Sequence, residues 1–442
     1  MENKKIAIRE KMQAHNIHEI GIQNFMTNYE KFINGHSSLI SKINIKNPDN
    51  ILNLNDIPQK YGSFGEKALP GTVMIKLNGG LGTSMGLKKA KSLLVVKNRL
   101  TFLDIIARQS EAYNVPLILM NSFNTQKESI ELLKKYKKLN TQKLPLEFLQ
   151  NKVPKIGLAS KGPVLYEKDE NLEWCPPGHG DIFISLLTSD TLEKLLNVGI
   201  EYAFISNADN LGATMDLKIL GYFSEKKIPF LMEVAERTES DKKGGHLAEN
   251  KQGCLILREV AQCPMDELDD FQNFSKYTYF NTNNIWVNLK SLRKKFAEKD
   301  NNLDLPLIIN TKTVDPRDEN SEKVVQLETA MGSAIEIFDK AEAVCVPRSR
   351  FIPVKKTEDL LKIQSNLYKL DKKCNLVPQN TDVINRLIIE LDDKYYKLID
   401  DFQANFGEAE IDFIDCYSLK IKGKICLKGK YKFVGNVEIM GN

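Results

Sequence analysis

Four glycines fall within the eight residues from Gly79 to Gly86, in the run Lys76-Leu77-Asn78-Gly79-Gly80-Leu81-Gly82-Thr83-Ser84-Met85-Gly86. Glycine has no Cβ, so such a ribbon lets backbone N–H groups come close to phosphate oxygens. Thr83 and Ser84 add hydroxyl donors, and Lys88, Lys89 and Lys91 follow with positive charge. The spacing fits neither familiar phosphate template. G-x-x-x-x-G-K-[ST] needs a Gly-Lys pair that this stretch lacks. In G-x-G-x-x-G the third glycine would stand at 85, and Met85 is there instead. Nor does an acidic residue end the next apolar run, where Met120-Asn121 stands. A nicotinamide-dependent dehydrogenase is therefore a distant reading. A ligand-free glycine turn would carry a high cost in chain entropy. The ribbon reads as a polyphosphate cradle of another kind.

The elements that must position it are visible in the apolar patterning. Val73 to Leu77, Leu117 to Met120, Tyr202 to Ser206, Pro229 to Val234, Tyr277 to Asn281 and Ile285 to Val287 read as strands. Thr101 with Asp104, and Thr125 with Glu128, are spaced as capping boxes, the second opening a helix towards Lys138. Strands alternating with helices predict an α/β domain with a mostly parallel sheet covered on both faces. Such sheets bind ligands beyond the carboxyl ends of their strands. Asn78 to Gly86, Asn207 to Asn210 and Asn281 to Asn284 each follow a strand-like run, so three polar loops are expected to converge on one crevice.

At 442 residues the chain has room for two or three domains. A helical arm is expected over 1–60, with Ile17, Ile20, Phe25, Tyr29 and Phe32 on one face, then a main domain over 61–345. A linker with helices follows over 346–405. The tail, 406–442, alternates small apolar groups with Lys and Gly. It reads as a few β-solenoid coils, or as a β-meander on a helix over Thr357 to Leu370. Apolar residues make up 42% and charged residues 27%, with no window of about eighteen apolar residues. Met1 to Glu10 shows no secretory pattern, and a cytoplasmic protein is expected. Lys and Arg number 62 against 58 Asp and Glu, too balanced for a nucleic-acid face. The run Lys134, Lys135, Lys137, Lys138 serves a helix end. Seven cysteines without a C-x-x-C, and few histidines, disfavour disulfides or a zinc cluster.

Taken together, the ordered blocks are similar to a known family. The ribbon from Lys76 to Gly86 resembles the nucleotide loop of the UTP–glucose-1-phosphate uridylyltransferase (UDP-glucose pyrophosphorylase) family. Pro176-Pro177-Gly178-His179-Gly180-Asp181 resembles its second block, and Ser206-Asn207-Ala208-Asp209-Asn210-Leu211-Gly212-Ala213-Thr214 its third. Lys243-Gly244-Gly245, Phe280 to Asn284, Gln326 to Ala330 and Pro347 to Lys355 follow in the family's order. The match spans the residues between 60 and 370. Asn78 and the run Thr83-Ser84-Met85 favour the glucose enzyme over relatives that act on other UDP-sugars.

The resemblance implies a Rossmann-like nucleotidyltransferase of GT-A type with a short β-solenoid-like C-terminal domain. It implies UTP and glucose 1-phosphate giving UDP-glucose and pyrophosphate, reversibly, by in-line attack at the α-phosphorus with Mg2+. Leu77, Asn78, Gly79 and Gly80 would hold the nucleotide by backbone contacts, and Lys91 would reach its phosphates. The family commonly has Gly-Pro before that lysine where this chain has Lys89-Ala90. Lys88 and Lys89 read as a solvated turn. Gln150 would read the uracil amide edge, since an amide both donates and accepts. Gly178 would face the uridine through its backbone and His179 would touch the sugar phosphate. Asn207 would bind that phosphate group too, beside Asp209 as metal ligand, because magnesium typically takes one or two protein carboxylates. An Asx turn capping the next helix is the other reading of Asp209. Asn281, Asn283 and Glu328 would read sugar hydroxyls and Gly245 would approach the sugar, or simply form a turn. Lys355 would bring a second positive charge. Rival functions are a pyrophosphorylase for another UDP-sugar and a non-catalytic uridine-nucleotide-binding regulator. A monomer or small homo-oligomer is expected, with no membrane or nucleic-acid partner.

Overall fold

The apolar run Thr72-Val73-Met74-Ile75 continues through Lys76, Leu77 and Asn78 as one strand, Thr72–Asn78, with nearly every residue buried. In the computed structural model this strand passes from one folded unit into another. The first unit comprises Met1–Ile75, Phe148–Ile205 and Asp216–Val346, and the second Lys76–Glu147, Ser206–Met215 and Pro347–Asn442. Residues 1–242 and 244–441 are described. Lys243, the first residue of the Lys-Gly-Gly block, and Asn442, the last of the tail, lie outside them.

In the first unit the strands Leu52–Asn53, Glu342–Cys345, Phe230–Glu236, Tyr279–Asn288 and Tyr202–Asn207 lie side by side in that order. Phe230–Glu236 runs parallel to Glu342–Cys345, which runs parallel to Leu52–Asn53. Tyr279–Asn288 is antiparallel to both of its neighbours, so the sheet is mixed. Its interior is aliphatic and aromatic on both faces. Trp286, fully buried, stacks on Phe204 at 4.4 Å and donates its indole N–H to Glu233 Oε1 at 2.9 Å. The arm forms two helices, Glu2–Ala14 and Glu19–Ile33, and then gives way to short turns and strands. Phe25 and Tyr29 are buried as expected, with Ile22 and Met26 beside them, against Val153, Trp174 and Leu327.

One expectation fails here. Tyr277 to Asn281 and Ile285 to Val287 are not two strands around a polar loop but one strand of ten residues, Tyr279–Asn288. Its pairing shifts register between Glu233 and Val234, and Asn283 takes φ 57°, the left-handed conformation that asparagine tolerates. The bulge lets the strand carry polar residues without interrupting it. Thr282 Oγ1 donates to the Glu233 carbonyl at 2.7 Å, and Asn284 Nδ2 to Glu233 Oε2 at 3.1 Å.

In the second unit the end of Thr72–Asn78 lies beside Leu117–Asn121. The helix Phe102–Tyr113 opens with the expected box: Asp104 N–H donates to Thr101 Oγ1, and Thr101 N–H to Asp104 Oδ2, both at 3.0 Å. The box at Thr125 does not form. Its hydroxyl is taken by Ser122, whose N–H donates to it at 3.0 Å, and the helix Gln126–Leu133 stops before the lysines. A helix spans Thr357–Gln364 rather than reaching Leu370, because Tyr368–Leu370 pairs as a strand with Leu376–Pro378. In the tail Cys416–Lys422 lies between Gly435–Met440 and Ile388–Leu391, a strand from the segment before it, and Ala409–Asp412 lies beside Gly429–Lys432; each pairing is parallel. That excludes the meander, whose strands would be antiparallel. Phe402, Phe406, Phe413 and Leu419 form its core with Leu360 and Leu367. No helix among the described residues is long and apolar enough to cross a membrane.

Candidate active site

Two of the three polar runs meet within the second unit. The ribbon leaves its strand with its carbonyls engaged: Leu77 accepts from Ala208 N–H at 3.0 Å, Gly79 from Ser122 Oγ at 3.0 Å, and Gly80 from Lys91 N–H at 3.1 Å. What such a ribbon can offer a ligand is N–H, the polarity a polyphosphate requires. Gly82 (φ 65°) and Gly86 (φ 74°) take left-handed conformations, and a Cβ at Gly80 would meet nothing within 4 Å. Asn78 turns its side chain inward, donating to Asn121 Oδ1 at 2.7 Å and Ser129 Oγ at 2.8 Å. Asn121 in turn donates to Glu147 Oε2 at 2.6 Å. A buried amide chain thus sets the angle at which the ribbon departs.

Asn207 ends the strand Tyr202–Asn207, and Asp209 follows in the turn. Asp209 Oδ2 pairs with Lys91 Nζ at 2.6 Å, with both side chains part-exposed. An ion pair in contact with water is worth about 1 kcal/mol or less, so a polyanion can part it at little cost. Lys88 and Lys89 are exposed, and Lys89 lies 3.8 Å from Glu128 Oε1, which agrees with a solvated turn. Lys355 is exposed, its N–H donating to Asp359 Oδ2 at 2.8 Å, while the preceding Val354 N–H donates to the Asp209 carbonyl at 3.4 Å.

The remaining residues gather in the first unit. Gly178 takes φ 81°, and a Cβ there would lie 2.4 Å from the Thr329 carbonyl and 3.1 Å from Glu328 Cβ. Only glycine lets the Pro-Pro-Gly-His-Gly turn press so closely on the strand Lys323–Thr329. The turn is tied by Thr329 N–H to the Pro177 carbonyl (3.0 Å) and Gly180 N–H to the Thr329 carbonyl (2.8 Å). His179 Nδ1 accepts from Met331 N–H at 3.0 Å, so the proton of the neutral ring sits on Nε2. Burial lowers the His179 pKa to about 4, which keeps the ring neutral. Gln150 is half-buried after the strand Glu147–Leu149. Its neighbour Asn151 binds Asp181 twice, at 2.7 Å through N–H and 2.9 Å through Nδ2, which carries Gln150 to the same turn.

Asn281 and Asn283 bind each other reciprocally, each contact 2.9 Å, and Asn281 N–H donates to the Gly245 carbonyl at 3.0 Å. A Cβ on Gly332 would lie 2.8 Å from Asn281 Nδ2, so the asparagine pair abuts the turn Met331–Glu336 that follows Glu328. Gly178, His179, Gly245, Asn281, Asn283 and Glu328 are therefore linked. The expectation that Asn281–Asn284 forms a strand-end loop is corrected: these side chains project from within a bulged strand.

Sequence reasoning missed Glu259. A Cβ on Gly245 would lie 2.5 Å from its carboxylate, so glycine at 245 is what admits it. Burial raises the Glu259 pKa to about 7, and that of Glu336 likewise to about 7. No local motif links Glu259 to Gly245, since a separate strand, Leu255–Arg258, delivers it. Asn121 was visible only as the amide at a strand end where an acid was sought.

The chain is similar to known proteins along nearly its whole length. A family model for UTP–glucose-1-phosphate uridylyltransferase matches residues 22–433. The chain is 39% identical over 426 residues to UTP–glucose-1-phosphate uridylyltransferase 2 of Dictyostelium discoideum, covering 94% of this chain and 82% of that one. It superposes with TM-score 0.89 and 38% identity on a point mutant of the Leishmania major UDP-glucose pyrophosphorylase in complex with UDP-glucose, covering 99% and 94% of the two chains. A Trypanosoma brucei UDP-glucose phosphorylase gives TM-score 0.88 at 44% identity, covering 99% and 95%.

Proposed function

From the premise that the chain belongs to the UTP–glucose-1-phosphate uridylyltransferase family, we propose how its own residues carry the reaction. The enzyme transfers a uridylyl group reversibly from UTP to glucose 1-phosphate, giving UDP-glucose and pyrophosphate. A phosphate oxygen of the sugar, already ionised, attacks the α-phosphorus; its new P–O bond replaces the bond to the β-phosphate oxygen, and pyrophosphate departs with that electron pair. No base is required. The protein has to hold two polyanions in line and neutralise the charge that develops.

The observation that carries the assignment is the Lys91–Asp209 pair at the foot of an N–H-bearing glycine ribbon. Leu77, Asn78, Gly79 and Gly80 hold the nucleotide by backbone. Lys91 and Lys355 supply positive charge to the triphosphate. Gln150 reads the uracil, and Gly178 lets the uridine approach. His179 donates Nε2–H to the sugar phosphate, joined by Asn207. Gly245, Asn281, Asn283 and Glu328 read the sugar hydroxyls, and we add Glu259 to that set.

Among the described residues no three His, Cys, Asp or Glu side chains converge on one point. The lone carboxylate of Asp209 fits a magnesium ion carried mainly by substrate phosphates and water, for which one protein ligand suffices. Asp209 would hold it, and the ion would add to the neutralisation of phosphate charge.

We read the sheet-bearing part as a GT-A-like nucleotidyltransferase and the parallel tail as a short β-solenoid. The segments 1–60, 61–345, 346–405 and 406–442 serve as arm, catalytic domain, linker and tail. Seven unpaired cysteines suit a reducing cytoplasm, and the protein works as a monomer or small homo-oligomer. A coupled pyrophosphate-release assay with UTP, glucose 1-phosphate and magnesium, each omitted in turn, is the direct test. Release that needs all three supports the reading; release without the sugar phosphate would defeat it.

A further inference from the structure

Lys355 sits at the end of a stretch that no sheet holds. A single turn, Arg348–Arg350, leads through 351–356 to the helix Thr357–Gln364, and the backbone is extended at Phe351 and at Lys356. What sets the register of that backbone is the side chain of Asn210. Its Oδ1 accepts from Ile352 N–H at 2.8 Å and from Gly212 N–H at 3.1 Å, and its Nδ2 donates to the Arg350 carbonyl at 3.1 Å. Asn210 and Pro353 face one another as an isolated antiparallel bridge. Arg350 Nη2 reaches the Thr214 carbonyl at 3.0 Å. A Cβ on Gly212 would lie 2.6 Å from the Ser349 carbonyl, so the two backbones are in close contact.

Asn210 is 2% exposed and its amide is engaged on both sides, so it is not a ligand for substrate. A side-chain amide is suited to this place because one end accepts and the other donates, and the backbone it meets presents N–H at 352 and C=O at 350. Aspartate would supply the acceptor alone, and leucine neither.

We propose that Asn210 is a positioning residue for Lys355: it locks residues 350–354 onto the turn that bears Asp209 and so fixes where the lysine starts. The inference rests on the assignment of Lys355 made above and goes beyond it. A double-mutant cycle on kcat tests it, using Lys355→Ala, Asn210→Ala and the pair. Asn210→Ala should lower kcat about tenfold, within the usual coupling range for contacting residues. The double variant should be no slower than Lys355→Ala, because a lysine that is gone has no position to lose. Losses that multiply would overturn the inference while leaving Lys355 in place. Normal turnover in Lys355→Ala would remove that assignment, and this inference with it. Asn210→Asp sets a carboxylate oxygen against the Arg350 carbonyl at this buried place, so it should be at least as slow as Asn210→Ala. Asn210→Ser, which keeps a hydroxyl able to accept from a backbone N–H, replaces Asn210→Ala in the cycle if thermal melts show that the alanine variant does not fold.

Discussion

The cluster around Gly178 and Asn281 and the ribbon around Gly80 are built on opposite plans. In the cluster, polar atoms are buried and bound to one another, and glycines stand where another backbone or carboxylate touches them. On the ribbon, Gly80 faces open space, Gly82 and Gly86 are approached by leucine and lysine side chains rather than by backbone or carboxylate, and the lysines nearby are exposed or loosely paired. The difference suits the roles proposed above, sugar hydroxyls and the uracil edge for most of the cluster and the triphosphate for the ribbon. Neutral hydroxyls and amide edges are discriminated only by donors and acceptors held in place and stripped of water. Phosphate charge is attracted over several ångströms and tolerates mobile partners.

The largest effects should come from the charged side of this contrast. Lys91→Ala and Lys355→Ala should each lower turnover by roughly 10²–10³ at saturating substrate, the loss typical of one partner for developing charge; near-normal steady-state rates would refute either assignment. Glycine exchanges probe the contrast itself. Gly178→Ala meets both a left-handed backbone and a carbonyl at 2.4 Å, and should cost stability by about 2–3 kcal/mol in denaturant melts. Gly80→Ala should leave stability within about 0.5 kcal/mol and weaken UTP binding instead. Equal effects at the two positions would dissolve the distinction.

Asp209→Asn should raise the magnesium concentration needed for half-maximal rate more than it raises KM for UTP, and an unchanged magnesium titration would count against Asp209 as a ligand. The smallest effect concerns Glu259 and Glu336. Their folded pKa values, about 7, lie above the unfolded value of about 4.5. Between those limits the folded state binds more protons, so stability falls as pH rises through that window. Replacing both by glutamine should raise Tm by a few degrees at pH 8 and hardly at all at pH 4.

Local chemistry is readable from the sequence wherever neighbours along the chain decide the outcome. The strand before the ribbon, the box at Thr101 and Asp104, and the glycine spacing belong to that kind. Thr125 and Glu128 carry the same signature and fail, since Ser122 competes for the threonine hydroxyl from within a tighter turn. Parallel pairing in the tail, the bulge at Asn283, and the meetings of Glu259 with Gly245 and of Asn210 with Ile352 join distant segments. Periodicity carries no trace of a partner that arrives from elsewhere.

The hydrogen bond from Met331 N–H to His179 Nδ1 reaches further than its length suggests. A single peptide plane, just past Glu328, decides which imidazole nitrogen stays bare and which bears hydrogen. Tilting that plane would silence the histidine without altering it. With the roles proposed for Glu328 and His179, hexose and phosphoryl recognition would share that one peptide plane.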